Sequence, residues 1–141
     1  MLLSNNINYV KRSAQQPIDN DVQVFLGDSM GEMFMYYTLS DIAVMGGSIN
    51  NFGGQNLIEP IFLNKPVILG PSTFNFAKIA HDAIKDRCAI QVENVEQCFI
   101  IIDQLLSNEA EYSLMQTRCK LFYERFGGAS QKIIDVVSHY I

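Results

Sequence analysis

At 141 residues the chain is sized for one domain with a sizeable core. Its composition, 48% hydrophobic and 18% charged, excludes intrinsic disorder, and a net charge of −5 weighs against a surface built to hold nucleic acid. No apolar run approaches the roughly 18 residues a membrane-spanning helix needs, and the opening MLLSNNINYVKRS turns polar too soon for a secretory signal.

Residues 1–21 are polar, with Gln15-Gln16-Pro17 and Asp19-Asn20-Asp21, and read as a lead-in segment or linker ahead of a domain spanning 22–141. VQVFLGD, 22–28, is a short β-branched and aromatic run stopped by glycine, which predicts a strand. GEMFMYYTLS, 31–40, has the composition of a helix. DIAVMGG (41–47) and KPVILGP (65–71) repeat the pattern of an apolar run closed by glycine, with the helix-like LIEPIFLN between them. CAIQV, 88–92, is a further strand candidate. Val95, Cys98, Phe99, Ile102, Leu105 and Leu106 recur at helical spacing, as do Tyr112, Met115, Cys119, Phe122 and Phe126. Gly127-Gly128 predicts a helix stop, and Ile133, Val136, Val137 and Tyr140 a last amphipathic helix. Apolar strands alternating with helices predict an α/β fold: a Rossmann-like, doubly wound parallel sheet with C-terminal helices.

Cys88, Cys98 and Cys119 are scattered and form no CxxC pair, so they read as reduced, buried thiols. His81 and His139 lie far from them and from each other, which argues against a zinc site. No Ser-His-Asp or Cys-His pattern supports hydrolase chemistry.

Three glycine-bearing junctions fall where strands lead into helices: GDSMGE (27–32), GGSINNFGGQN (46–56) and GPSTFNF (70–76). Ligands of parallel sheets bind at such strand ends, where glycine lets backbone approach a phosphate and helix N–H groups point at the anion. Neither GGS nor GGQN matches the dinucleotide or P-loop patterns. Asn56 and Glu59 have capping-box spacing, and Pro60 fits a helix's first turn. Glu59 is then either a capping carboxylate or one that accepts hydrogen bonds from a ribose, and spacing leaves both open. Asp28 and Glu32, a turn apart, could bracket a ligand, but DSMGE also makes a good helix entrance, with Asp28 or Ser29 as cap and Glu32 favouring the positive end. Arg12 reads by default as a solvated arginine. Asn75-Phe76 reads either as a loop anchor or, equally well, as a capping asparagine beside a packed phenylalanine.

Taken together, Gly27-Asp28-Ser29-Met30-Gly31-Glu32, Tyr36-Tyr37, Ser40-Asp41, Gly46-Gly47-Ser48, Gly53-Gly54-Gln55-Asn56 with Glu59-Pro60, Pro66-Val67, Gly70-Pro71 and Asn75-Phe76 resemble, in order and spacing, the C-terminal domain of the 3-deoxy-D-manno-octulosonic acid (Kdo) transferases of lipopolysaccharide synthesis. Ser29 stands where that family often has threonine, and Gln55 where it usually has histidine. Glutamine hydrogen-bonds but cannot become cationic.

The resemblance implies one half of a GT-B glycosyltransferase, the half that binds the donor CMP-Kdo. It implies donor contacts from Arg12, Met30, Gly31, Glu32, Ser48, Gly53, Gly54, Gln55, Asn56, Glu59 and Asn75. Within that set Glu59 would face the ribose, the backbone near Ser48 and Gly54 to Asn56 the phosphate, and Arg12 would pair with the phosphate. It further implies no metal or other cofactor and no catalytic residue on this chain. The general base, the lipid A precursor site and the membrane attachment would belong to an N-terminal domain. The whole enzyme would work at the cytoplasmic face of the inner membrane, this chain being a soluble portion that is inactive alone. Two alternatives remain: the donor domain of a UDP-sugar transferase, and a non-catalytic nucleotide-binding or interaction module.

Overall fold

The computed structural model describes the backbone of residues 3–138 and the side chains of residues 4–126. They form two compact units, Met1–Tyr36 and Tyr37–Ile141.

In the first unit, strand β1 (Tyr9–Lys11) pairs in parallel with β2 (Val24–Leu26), in the register Tyr9 to Val24 and Lys11 to Leu26. β1 lies inside the segment expected to be an irregular lead-in. Its three residues are too short for an alternation to be read, and its order comes from partners distant in sequence. The Gln23 amide donates to the Asn8 carbonyl at 2.9 Å, and the Asn8 side chain donates to the Asp21 carboxylate at 3.1 Å. Helix α1 (Met33–Leu39) follows where the apolar run predicted it.

The second unit holds β3 (Ala43–Val44), β4 (Val67–Leu69) and β5 (Ala89–Gln91) in one parallel sheet of order β3-β4-β5. The connections carry helices α2 (Ile58–Phe62) and α3 (Ala77–Lys85). Helices α4 (Val95–Ser107) and α5 (Glu109–Ser138) follow β5. β4 is central and buried throughout, which is why VIL shows no polar alternation. Val67 and Leu69 pack with Leu57, Ile61, Ala80, Ala83, Cys119 and Phe122, from α2, α3, α5 and the loop before α2. Ile68 turns to the other face and meets Val92, Cys98, Ile101 and Ile102 of the α4 side. Both faces of the sheet are thus covered by helices. Truncating Ile68 to alanine would leave a cavity in a fully buried layer and cost about 2–5 kcal/mol.

The α/β class and the parallel strands agree with the sequence reading, although the hydrogen bonds divide the strands into two ladders. α3 was not anticipated. Its core face is made by Ala80 and Ala83 with Ile79 and Ile84 packed beside them, a period of only nine residues interrupted by Lys78, His81 and Asp82. The expected stop at Gly127-Gly128 is overturned, because α5 continues through it to Ser138. A mid-helix glycine costs about 1 kcal/mol relative to alanine and leaves the hydrogen-bond ladder possible. The apolar face proposed for 133–140 lies outside the described residues, as does His139.

Candidate functional site

The glycine loop after β3 is held by the loop after β4. Ser48 is fully buried; its hydroxyl donates to the Met45 carbonyl at 2.6 Å and accepts from the Gly70 N–H at 2.8 Å. Its carbonyl accepts from the Ser72 N–H at 2.9 Å. The polar atoms of Ser48 are therefore spent on joining the ends of β3 and β4. A side chain at Gly70 would place its Cβ 2.4 Å from the Ile49 Cα and the Ser48 carbonyl carbon, so only glycine permits this approach.

Gly53 and Gly54 both adopt positive φ, +84° and +73°, which turns the chain sharply before α2. Residues 72–75 clamp this turn. The Gly53 N–H donates to Ser72 Oγ at 3.0 Å, and the Gly53 carbonyl accepts from the Asn75 N–H at 3.2 Å. Asn75 Nδ2 donates to the carbonyls of Phe52 (3.1 Å) and Gly54 (3.4 Å). Of the two readings of Asn75-Phe76, the anchor holds for Asn75, which spends its amide protons on the loop, while Phe76 is a packed phenylalanine against the core.

At the start of α2 the Asn56 carboxamide accepts from the Ile58 N–H at 3.1 Å and donates to Glu59 Oε1 at 3.2 Å. This differs from a capping box: Glu59 reaches the Asn56 side chain, not its backbone, and the helix cap itself falls on Leu57. Glu59 is half-buried and its Oε2 makes no hydrogen bond among the described residues. It lies close enough to Tyr37 that burial, and then the Glu59 charge, push the tyrosine hydroxyl pKa up. Gln55 is exposed and unpaired among the described residues, and the backbone N–H groups of Gln55 and Asn56 make no internal hydrogen bond there. Those two donors, the free Glu59 oxygen and the Gln55 amide form a small polar constellation around a rigid turn. It is suited to an anion flanked by hydroxyls.

The remaining predicted residues lie in the first unit. Arg12 is not a free, solvated arginine: its guanidinium pairs with Glu32 Oε1 at 2.9 Å. Glu32 also accepts from the Ser29 hydroxyl, which in turn meets the Tyr36 hydroxyl at 2.6 Å. The Ser29 hydroxyl and then the Arg12 guanidinium hold the Glu32 carboxyl below the ordinary range. Arg12 Nε is buried and has no hydrogen-bond partner among the described residues. Asp28 and Ser29 do not cap α1 as expected. The Asp28 carboxylate accepts from the Ser13 hydroxyl (2.7 Å) and the Ser13 N–H (2.9 Å), two contacts that lower its pKa in that order. A partner 15 residues away outcompetes the local cap because β1 and β2 run in parallel and end together. Met30 is 96% exposed, and Gly31, at φ +80°, has open space where a Cβ would stand.

All three cysteines are buried and unpaired, as expected. The described residues contain no group of side chains suited to a metal ion, and no helix long and apolar enough to cross a membrane. A cavity of about 340 Å³ lined by Asp82, Lys85, Asp86, Arg125 and Phe126 opens between α3 and α5, at residues that belong to neither glycine loop. Ser72 is the contributor that sequence reasoning missed, and its position inside GPSTFNF was the only signal.

No protein-family model matches the chain. Among curated proteins it is 35% identical over 134 residues to the 3-deoxy-D-manno-octulosonic acid transferase of Bordetella pertussis, covering 94% of this chain and 31% of that protein. The enzyme of the same name from Haemophilus influenzae is 32% identical over 143 residues, covering 100% of this chain and 33% of that protein. A bifunctional glycosyltransferase/methyltransferase of Fusobacterium nucleatum is 38% identical over 114 residues, 77% of this chain and 17% of that protein. Among solved structures the chain superimposes with a TM-score of 0.82 and 31% identity on the C-terminal CMP-Kdo binding domain of WaaA from Acinetobacter baumannii, covering 86% of this chain and 63% of that one. The resemblance drawn from the motifs holds, and the chain spans about a third of the length of the Bordetella and Haemophilus transferases.

Proposed function

We propose that this chain, a relative of the Kdo transferases along nearly its whole length, is the donor-binding domain of such an enzyme and binds CMP-Kdo. The observation that carries the proposal is its 0.82 TM-score match, at 31% identity, to a domain named for CMP-Kdo binding. The local geometry supports it. The N–H groups of Gln55 and Asn56 face the phosphate, and Glu59, with Oε2 free, accepts from the ribose hydroxyls. Gly53 and Gly54 shape the turn that lets backbone approach the anion. Ser48 and Asn75 serve the ligand by holding that turn.

On this reading Arg12, Met30, Gly31 and Glu32, which lie in the first unit, are further candidate donor contacts. Arg12 is already neutralised by Glu32, so its share in holding phosphate requires Glu32 to release or share it. The chemical contribution is to bind CMP and stabilise the charge that develops on it as leaving group, with fixed N–H donors and no metal. The acceptor, a lipid A precursor, and the general base are assigned to the other part of such an enzyme, as are its membrane attachment and its place at the inner membrane.

Calorimetric titration of the chain with CMP and UDP tests the proposal. CMP is expected to bind in clear preference, and Glu59→Ala to weaken it. A preference for UDP would overturn the Kdo reading in favour of a UDP-sugar donor domain. Nucleotide binding indifferent to Glu59→Ala would favour a non-catalytic module.

A further inference from the structure

We propose that Ser72 is a positioning residue that sets the nucleotide affinity of the 46–56 loop by latching it closed; this rests on the donor-binding reading above. Ser72 lies outside the set of proposed donor contacts, yet it touches that loop at three places. Its N–H donates to the Ser48 carbonyl at 2.9 Å. Its hydroxyl accepts from the Gly53 N–H at 3.0 Å and donates to Asn51 Oδ1 at 3.2 Å. One hydroxyl proton and one lone pair satisfy both side-chain bonds, so the geometry is consistent. The Ser72 carbonyl also packs 3.4 Å from the place where a Gly54 Cβ would stand.

The consequence follows from the backbone. Gly53 and Gly54 are the residues whose conformational freedom is greatest and whose ordering costs most. The N–H groups of Gln55 and Asn56 present themselves correctly only if both glycines keep their positive φ. The Ser72 hydroxyl bonds the first of the pair and, through Asn51, the middle of the loop. Removing it frees Gly53 N–H and lets the loop sample other conformations, a cost that binding must then meet. Asn75 keeps its own bonds to Phe52 and Gly54, so the loop loosens without being lost. The latch acts through preorganisation and touches no reacting atom.

The test uses this chain with CMP as ligand, and four forms: unmodified, Ser72→Ala, Ser72→Thr and Ser72→Val. Threonine and valine match in shape and differ in the hydroxyl. Two lost hydrogen bonds of ordinary net strength predict about a tenfold weaker CMP affinity for the alanine and valine variants, and affinity within about twofold for threonine. Amide hydrogen exchange at Gly53 should accelerate in the alanine and valine forms while core amides at Ile68 and Leu69 keep their protection, which separates a loosened loop from general destabilisation. Unchanged CMP affinity in the alanine and valine forms, or threonine as weak as valine, overturns the latch. If the unmodified chain binds no CMP while Gly53 exchange still responds to the hydroxyl, the donor reading fails and takes the affinity role of Ser72 with it, leaving only the hold of its hydroxyl on the loop.

Discussion

Replacing Gly53 by alanine tests whether the turn at the candidate site is held as rigidly as its contacts imply. The residue sits at φ +84°, where an L side chain costs about 1–2 kcal/mol. Its new Cβ would stand 2.5 Å from Phe74 Cε2 and 2.6 Å from Asn75 Nδ2. Phe74 is exposed and can swing away at little cost. Asn75 cannot move without giving up its bonds to the Phe52 and Gly54 carbonyls, at about 1 kcal/mol each. The sum is about 3–4 kcal/mol against the native turn, enough for at least a tenfold loss of CMP affinity. Two neighbours grade the expectation. Gly54→Ala meets only ordinary contacts, 3.4 Å to the Ser72 carbonyl oxygen and 3.5 Å to Ser48 Cβ, so it carries the conformational cost of about 1–2 kcal/mol alone. Gly46→Ala meets open space and leaves affinity unchanged. Calorimetric CMP titration of the three variants, with thermal melts alongside, gives the order Gly46, Gly54, Gly53. Wild-type affinity in Gly53→Ala, or a comparable loss in Gly46→Ala, would refute the reasoning.

Other expectations follow from single features. Glu59→Ala should weaken CMP by about tenfold or more, as a lost hydrogen bond to a charged group predicts, and should have a smaller effect on 2′-deoxy-CMP; equal losses for both nucleotides would remove Glu59 from the ribose. Asp28 and Glu32 have lowered pKa values, so their contribution to the first unit is complete above the ordinary values of 3.8 and 4.5 and disappears as pH falls through the lower folded ones. Carboxyl NMR titration should place Asp28 below 3.8, and Ser13→Ala should move it back up; an unmoved titration would mean that the Ser13 hydroxyl is not the main cause. Cys88 and Cys119 are fully buried, and the neighbouring Cys88 together with burial pushes the Cys119 thiol up, so a disulfide reagent should modify these two only as fast as the protein opens. Rapid modification of both in the folded protein would contradict their packing.

How much was legible in the sequence depended on how local the cause was. β4 declared itself because VIL is buried on both faces, and α4 because Cys98, Ile102 and Leu105 repeat at helical spacing on one side. The glycine loop stood out as a candidate site because the pairs at 46–47 and 53–54 and the Asn56–Glu59 spacing are all close in sequence. What escaped depends on partners far along the chain. Asp28 was read as a helix cap and instead serves Ser13, while Arg12 was read as solvated and instead meets Glu32 across 20 residues. β1 and Ser72 are of the same kind, since neither is specified by its neighbours. α3 escaped for another reason, that its Ile79–Ala80–Ala83–Ile84 face spans only nine residues, too few for the period to stand out. At Gly127-Gly128 a weak local penalty was overridden by a helix already anchored through Met115, Cys119 and Phe122.

The central claim is that the turn at 53–56 and the glutamate behind it hold the nucleotide of an activated sugar. Amide-detected NMR titration of the chain with CMP tests it most directly. The account predicts that the largest shifts fall on Gly53, Gly54, Gln55 and Asn56 and that UDP at the same concentration reproduces them weakly. Shifts confined to the cavity residues Asp82, Lys85 and Asp86, or equal responses to CMP and UDP, would contradict it.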